Sequence, residues 1–528
     1  MNTDRRVYIF DTTLRDGQQC PGAGMDFEHN LQYARVAASC GIDILEAGFP
    51  AASNLDYQIV SSVAEEISQD ENAPTIAALC QMREAQVETT IRSLEKAVKF
   101  NKGRMHIYLP VDPELMLASL GEHAMDKENL LKELGIFIQM AIKEGLEVEF
   151  SPEGYSRMGD NFDFVTDSIR VAVSAGATVI NCPDTIGGAY RAQGNDYFVT
   201  KMQKHADIIA KEFPDKNIIW STHCHNDFGL AVDNSLNAVF YGPARQIEGC
   251  LNGIGERAGN AALEQCIMII KHFGDCVDKE NPFYTNVKTE HLKELSDFVS
   301  RNMLPRQVNS PITGDNAARH SSGGHTNAVL KNPLAYQPYD PHEIGQEISL
   351  VFGPLSGGNH AKSIIENNGY ICGDNEKSEI AQFIKDFYKD RRKGVTDYEL
   401  MKAYFKYRSP IDVTSFNYSR ASNRSEIILT GKFFNQIGEF REELESKSSA
   451  LAVLKHLIDK KFPNSHIESY SSESVGASVH ALSLSTIILS INGKHVQGQG
   501  EDQDIEISAM KALINAVNNA FIEINYKK

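Results

Sequence analysis

Eight short apolar runs alternating with amphipathic segments predict an α/β protein whose first domain is a (β/α)8 TIM barrel, followed by a mostly helical linker region and a C-terminal α+β regulatory domain. Three observations carry the barrel. The alternation repeats eight times, it occupies roughly the 250 or so residues such a barrel needs, and the first strand-to-helix turn lacks the glycine pattern of an open dinucleotide-binding sheet. At 528 residues the chain is too long for one core, so further domains are required.

The apolar runs are VYIFDTTL (7–14), IDILEAG (42–48), PTIAALC (74–80), RMHIYLP (104–110), LEVEFSP (146–152), ATVINCPD (177–184), NIIWSTHCH (217–225) and QIEGCLNG (246–253). Between them lie helical patterns such as HNLQYARVAASCG (29–41) and ENLLKELGIFIQMAIKEG (128–145), closed by glycines suited to a helix C-cap. A barrel of this kind carries its chemistry at the C-terminal strand ends. Arg15 and Asp16 follow the first run, Glu46 ends the second, Ser151 and Glu153 end the fifth, Asn181 and Thr185 the sixth, and His223 and His225 the seventh. The Gly-rich loop Gly253 to Asn260 follows the eighth and reads, taken alone, as a tight turn.

The expected division is 1–275 for the barrel, 276–415 for the linker and 416–528 for the C-terminal domain. In the linker, the polar run from Asp315 to His325 has the look of a functional loop. GPLSGGNHAK (353–362) lacks the G-K-[ST] ending of a phosphate loop and reads as a helix start, and FIKDFYKDRRKGVTDYELMKAYFKY (383–407) reads as a helical stretch. Beyond Pro410, RSEIILTGKFFN (424–435), HIESYSSESVG (466–476) and LSLSTIILSING (482–493) read as strands, with helices at 448–462 and 504–524. No catalytic cluster lies there, which points to regulation or assembly.

A formal net charge of -18 argues against nucleic acid or an anionic membrane surface as partner. No signal-peptide apolar segment opens the chain and no run of about 18 apolar residues occurs, so neither secretion nor a transmembrane helix is expected. The nine cysteines are scattered without a C-x-x-C pair, as in a reduced cytoplasmic protein.

The most informative stretch is Ile218 to Asp227, an apolar run ending in His223 and His225. On a strand, residues i and i+2 share a face about 7 Å apart at Cα, so both imidazoles can reach one ion. Two histidines in alternation at the polar end of a buried strand point to a divalent metal more than to two core histidines. Such an ion also needs a carboxylate and open positions. Asp16 is the best candidate, because the first and seventh strands of a closed barrel are separated only by the eighth, and Asn260 can add an amide oxygen. The ordinary alternative for Asp16 is an ion pair with Arg15.

DTTLRDGQQCPGAGM (11–25), LEAGFP (45–50), EFSPEGY (149–155), NCPDTIGG (181–188), THCHNDFGLA (222–231), EGCLNGIGERAGN (248–260) and HSSGGHTNAVLKNP (320–333) together resemble the 2-isopropylmalate synthase family, in the Claisen-condensing branch of the DRE-TIM metallolyases. GQGEDQDIEISAMKALINAVN (498–518) resembles the allosteric domain of that family. The resemblance implies Asp16, His223 and His225 as ligands of a divalent metal (Mg2+, Mn2+ or Zn2+), with Asn260 a nearby or fourth ligand. It implies that Arg15 and Glu46 complete the Asp-Arg-Glu set, and that Leu79, His106, Ser151, Asn181, Pro183 and Thr185 surround a 2-oxoacid. Glu153 matches a catalytic acid, while His325 and Tyr336 match a pair supplied by the partner subunit of a homodimer or higher homo-oligomer. Acetyl-CoA as co-substrate, K+ as activator and leucine as feedback inhibitor belong to the same expectation. In the C-terminal domain, GASVHALSLS (476–485) departs from the family pattern near the inhibitor site.

The chemistry asks for the same residue types. A 2-oxoacid chelates a divalent ion, the ion polarises its ketone, and a base must take a proton from the thioester methyl group. Either Glu153 or a water held with His325 and Tyr336 fits that last role, and Arg15 suits the developing oxyanion. The expected acceptor is 3-methyl-2-oxobutanoate. Pyruvate (citramalate synthase) and 2-oxoglutarate (homocitrate synthase) are the alternatives, ahead of a superfamily aldolase or lyase and of a barrel kept as a scaffold.

Overall fold

The computed structural model describes residues 4–391, 393–476, 481–491 and 493–528. The departure noted at 476–485 therefore lies partly outside the described residues. Among the described residues, no helix is long and apolar enough to cross a membrane. The chain divides into two compact units, 1–318 with 339–347, and 319–338 with 348–528.

The first unit is a closed barrel of eight parallel strands in sequential order. They are β1 (Tyr8–Asp11), β2 (Ile44–Glu46), β3 (Thr75–Gln81), β4 (Gly103–Pro110), β5 (Glu147–Glu153), β6 (Val179–Asp184), β7 (Ile219–Cys224) and β8 (Ala244–Gly249). Every predicted run holds a strand. The eighth begins earlier than its run, and the tail of that run turns away as a short 3-10 segment at Leu251–Gly253. Around the barrel pack α1 (Phe27–Ser39), α2 (Asn54–Ile67), α3 (Glu84–Val98), α4 (Pro113–Leu120), α5 (Lys127–Lys143), α6 (Phe162–Ala175), α7 (Phe198–Glu212), α8 (Ala231–Phe240), α9 (Leu263–Phe273) and α10 (Leu292–Asn302). Asp26, Ser53, Asp112 and Asp126 accept backbone N–H groups at the starts of α1, α2, α4 and α5, which is why those helices begin where they do.

Closure is made by β8, whose residues pair with β7 on one side and β1 on the other: Glu248 lies opposite His223 and opposite Phe10. Strand side chains alternate with period two, so each strand sends one column of residues into the barrel. Arg104, His106 and Tyr108 form the column of β4; Glu149, Ser151 and Glu153 that of β5; Ser221 and His223 that of β7; Gln246 and Glu248 that of β8. The outward residues, such as Met105, Ile107, Val148 and Phe150, are fully buried in the core between strands and helices.

In the second unit, β9 (Arg319–His320) pairs with β10 (Ser349–Leu350), accompanied by α11 (Gly323–Val329), α12 (Gly358–Asn367), α13 (Lys377–Phe387) and α14 (Asp397–Arg408). The helix start read at 353–362 is that of α12. The stretch 383–407 is two helices: Thr396 and Glu399 form a reciprocal capping box that starts α14 afresh. Ile365, Ile380, Leu400 and Tyr404 form the core of this part. Two antiparallel three-stranded sheets follow, β11 (Ile411–Arg420), β12 (Ser425–Phe433) and β13 (Gln436–Leu444), then β14 (Ser465–Val475), β15 (Leu482–Ile491) and β16 (Lys494–Asp502). They pack with α15 (Ala450–Asp459) and α16 (Ile505–Asn525) through Ile427, Leu429, Leu454, Ile487, Leu489, Leu513 and Val517.

Candidate active site

The mouth of the barrel opens into a cleft of about 280 Å³. Arg15, Asp16, Leu79, His106, Ser151, Glu153, Asn181, Pro183, Thr185, His223 and His225 all line it. Glu46 and Asn260 are fully buried just behind. His325 and Tyr336 belong to the second unit, where their rings stack with centroids 3.9 Å apart.

Local structure explains how each group arrives. After β1 the chain turns tightly, with the N–H groups of Arg15 and Gly17 both donating to the Thr12 carbonyl, which lifts Arg15 and Asp16 over the barrel rim. His223 stands on β7, and His225 stays in line with it because its N–H donates to the Asp184 carbonyl at 3.2 Å. Asn260 is delivered by the loop after β8, which needs its glycines. A Cβ on Gly259 would lie 1.9 Å from the Gly253 carbonyl, and one on Gly255 would lie 2.2 Å from Asn260 Nδ2. The loop read as a plain turn is what seats Asn260.

Asp16, His223 and His225 are 4%, 6% and 7% exposed and each offers one ligand atom, all within 4.8 Å of one another. The two Nε2 atoms face each other at 3.3 Å, and His223 Nε2 is 3.9 Å from Asp16 Oδ2. Asp16 also makes an ion pair with Arg15 (Nη1 to Oδ2, 2.6 Å), the ordinary alternative read from the sequence. Asn260 Nδ2 donates to Asp16 Oδ1 at 2.7 Å, which fixes the carboxylate from the other side.

Electrostatics agree with a cation socket. Burial alone would raise the Asp16 carboxyl, but Arg15, His223 and His225 outweigh it and hold it below the usual range. His225 is pushed down to about 4 by burial and by its neighbour His223, so it is neutral and keeps a lone pair. Asn260 Oδ1, His225 Nδ1 and Asn181 Oδ1 are buried without a hydrogen-bond partner. Orphaned polar atoms gathered at one cleft, beside a carboxylate and two imidazoles at coordinating distance, fit a divalent cation.

A second cluster with ligand-like spacing, Glu46, His106 and Glu248, sits directly behind. Its charge is already met. Arg15 gives Nε to Glu46 (2.6 Å) and Nη2 to Glu248 (2.9 Å), and burial, which would discharge that guanidinium, is overcome by the three carboxylates around it. His106 is pushed up to about 9, with Glu46 and Glu248 prevailing over burial, so it donates through both nitrogens: Nδ1 to Glu46 (2.8 Å) and Nε2 to Ser151 (2.7 Å). Ser151 Oγ also accepts from Asn181 Nδ2 (2.9 Å), which leaves its own O–H to point at whatever enters the cleft. The Glu153 carboxyl is raised by burial, only partly countered by Arg15.

Gln19, Tyr108, Glu248, Glu256 and Arg257 also line the cleft, of which Glu248, Glu256 and Arg257 escape the sequence reading as site residues. Tyr108 OH accepts from Gln81 (2.7 Å), and Arg257 ties the Asp227 carboxylate (Nε to Oδ1, 2.9 Å) to the Thr185 carbonyl (2.7 Å). Glu248 had a visible signal, an acid inside an apolar run two residues above Gln246 on the same strand face.

The fold and this site together define a (β/α)8-barrel enzyme of the HMGL-like class with a carboxylate-and-two-histidine cluster of ligand-like spacing, and the HMGL-like model matches residues 6–299. The Homocitrate synthase post-HMGL domain-like model matches residues 312–393, and the LeuA allosteric (dimerisation) domain model matches 448–521. Over 99% of its length the chain is 33% identical to the 2-isopropylmalate synthase of Aquifex aeolicus, covering 97% of that protein. It is 34% identical to that of Carboxydothermus hydrogenoformans, with 99% of each chain covered. Among solved structures, the HMG-CoA lyase from Brucella melitensis aligns with 56% of this chain and 98% of its own, at 15% identity and a TM-score of 0.43. The chain belongs to the 2-isopropylmalate synthase family.

Proposed function

We propose that the chain condenses acetyl-CoA with 3-methyl-2-oxobutanoate and water to give 2-isopropylmalate and CoA, with Asp16, His223 and His225 holding a divalent cation and Asn260 beside them. The observation that carries this reading is the meeting of those three ligand groups within 4.8 Å at the head of a cleft lined by Leu79, His106, Ser151, Asn181, Pro183 and Thr185. When bound, the cation supplies Lewis-acid polarisation of the acceptor's ketone and offsets the charge of its carboxylate. Ser151 donates its free O–H to the acceptor, and Leu79 and Pro183 offer it an apolar wall.

Glu153 takes the methyl proton of the thioester, a role that its raised carboxyl favours. The carbon so exposed bonds to the ketone carbon, and Arg15, held by Glu46, faces the oxygen that gains charge and then a proton. Water cleaves the thioester, and CoA leaves as the thiol. His325 and Tyr336 reach the site from the partner subunit of a homodimer assembled through the LeuA-type domain. Residues 1–275 form the catalytic domain, 276–415 complete the site and 416–528 form the allosteric domain, with leucine as effector, K+ as activator and the cytoplasm as the place of work.

A thiol-release assay with acetyl-CoA and a panel of 2-oxoacids tests this. The expected result is preference for 3-methyl-2-oxobutanoate. Preference for pyruvate or 2-oxoglutarate would move the assignment to citramalate or homocitrate synthesis, and cleavage of a hydroxy acid without CoA would overturn the condensation.

A further inference from the structure

We propose that Glu248 is a positioning residue of this site, a carboxylate that fixes at once which nitrogen of His223 and which end of the Asn181 amide face the cleft. The inference rests on the cation reading above. Glu248 is fully buried on β8, between β7, which carries His223, and β1, whose chain continues to Arg15. Its Oε2 accepts from Asn181 Nδ2 at 2.9 Å, and its Oε1 accepts from Arg15 Nη2 at 2.9 Å. Oε1 also lies 3.2 Å from His223 Nδ1, though off the line of a hydrogen bond.

An ionised carboxylate can only accept, so every group it touches must turn a donor towards it. For His223 the negative charge 3.2 Å from Nδ1 favours the tautomer with its proton there, which leaves the lone pair on Nε2, the atom that faces His225 Nε2 at 3.3 Å. For Asn181 it means the NH2 group points at Glu248 and Ser151, leaving Oδ1 as the unpartnered acceptor. Arg15 is held by the same oxygen that attracts His223. One acceptor-only group thus orients a cation ligand, a cleft amide and the guanidinium together.

The test is Mn2+ binding to the metal-free protein, measured calorimetrically for wild type, Glu248→Gln and Glu248→Asp. Glutamine keeps the shape but offers a donor on one side, whereas aspartate keeps the acceptor-only charge and is shorter. A polarity role therefore predicts that affinity falls about 10–100-fold in Glu248→Gln and less in Glu248→Asp, as for carboxylates behind metal-binding histidines. Turnover at saturating Mn2+ stays reduced in Glu248→Gln, because added ion does not reorient Asn181 or Arg15. A packing role predicts the reverse order, with the isosteric glutamine milder. That order, Mn2+ affinities within twofold of wild type, or loss of fold in both variants would overturn the proposal. Wild type that binds no Mn2+ would overturn the cation reading itself.

Discussion

At the floor of the barrel, Arg104 gives Nε to Glu147 (2.8 Å) and Nη1 to both Glu149 and Gln246 (2.9 Å each), while Gln246 donates to Glu149 (2.8 Å) and to Ser221 (2.9 Å). Two residues higher on the same strands stand His106, Ser151, Glu248 and His223, again buried, with His106 and Glu248 charged. None of those floor side chains has a buried polar atom without a partner, whereas the mouth leaves acceptors of Asn181 and Asn260 and both Nδ1 atoms of its histidine pair without one. Buried charge is therefore not what distinguishes a working site. Incomplete satisfaction is: the floor is complete as it stands, and the mouth is complete only with something added.

If that contrast holds, the two ends fail differently when cut. His225→Ala at the mouth should lower turnover below about one part in 10^4, a loss of roughly 5 kcal/mol of transition-state stabilisation, and should leave the unfolding midpoint of the metal-free protein near wild type. A large fall in midpoint would erase the distinction. Arg104→Met at the floor should do the opposite, costing about 3–5 kcal/mol in urea unfolding by stranding the buried Glu149, with turnover per folded molecule retained.

A satisfied site away from both ends sharpens the point. His205 on α7 takes the Tyr155 hydroxyl on Nδ1 (2.7 Å) and stacks on Phe162, and burial pushes its pKa down to about 4. Between pH 6.5 and 4 the unfolded chain then binds more protons at this position than the folded one, so stability falls as pH falls through that window, by roughly 3 kcal/mol in all. Comparing wild type with His205→Gln in pH-dependent melting should show a shallower acid slope in the variant, and equal slopes would contradict the assignment. Glu153→Gln should lower turnover by about 10²-fold with little change in the KM for the 2-oxoacid, and steady-state kinetics would reveal a binding role instead if KM alone rose. Ser151→Ala should be smallest, about tenfold or 1.4 kcal/mol in kcat/KM for the 2-oxoacid.

Much of the mouth was legible in the sequence because parallel strands announce themselves as apolar runs, and polar residues at their C-terminal ends stand out against that background. Asp16, His223 and His225 are of this kind. The floor was not legible, since Arg104 and Gln246 begin runs that otherwise read as plain strand, and nothing local says which acid will answer the guanidinium. Glu248 was visible as an acid inside an apolar run, but nothing local names the groups it would hold. In the second unit, β13 escaped because Gln436–Leu444 is rich in charge and Ile437 on it is 86% exposed, leaving no buried stripe to betray the strand. The break between α13 and α14 was missed although Gly394 and the capping box of Thr396 and Glu399 mark it, because the residues flanking them on both sides suit a helix.

Ser221 and His223 occupy a single face of β7, as Gln246 and Glu248 do of β8, so an inserted residue low in either strand would swing a floor group and a mouth group outward in the same motion. Architecture and chemistry are written in one reading frame here, and neither can slip without carrying the other along.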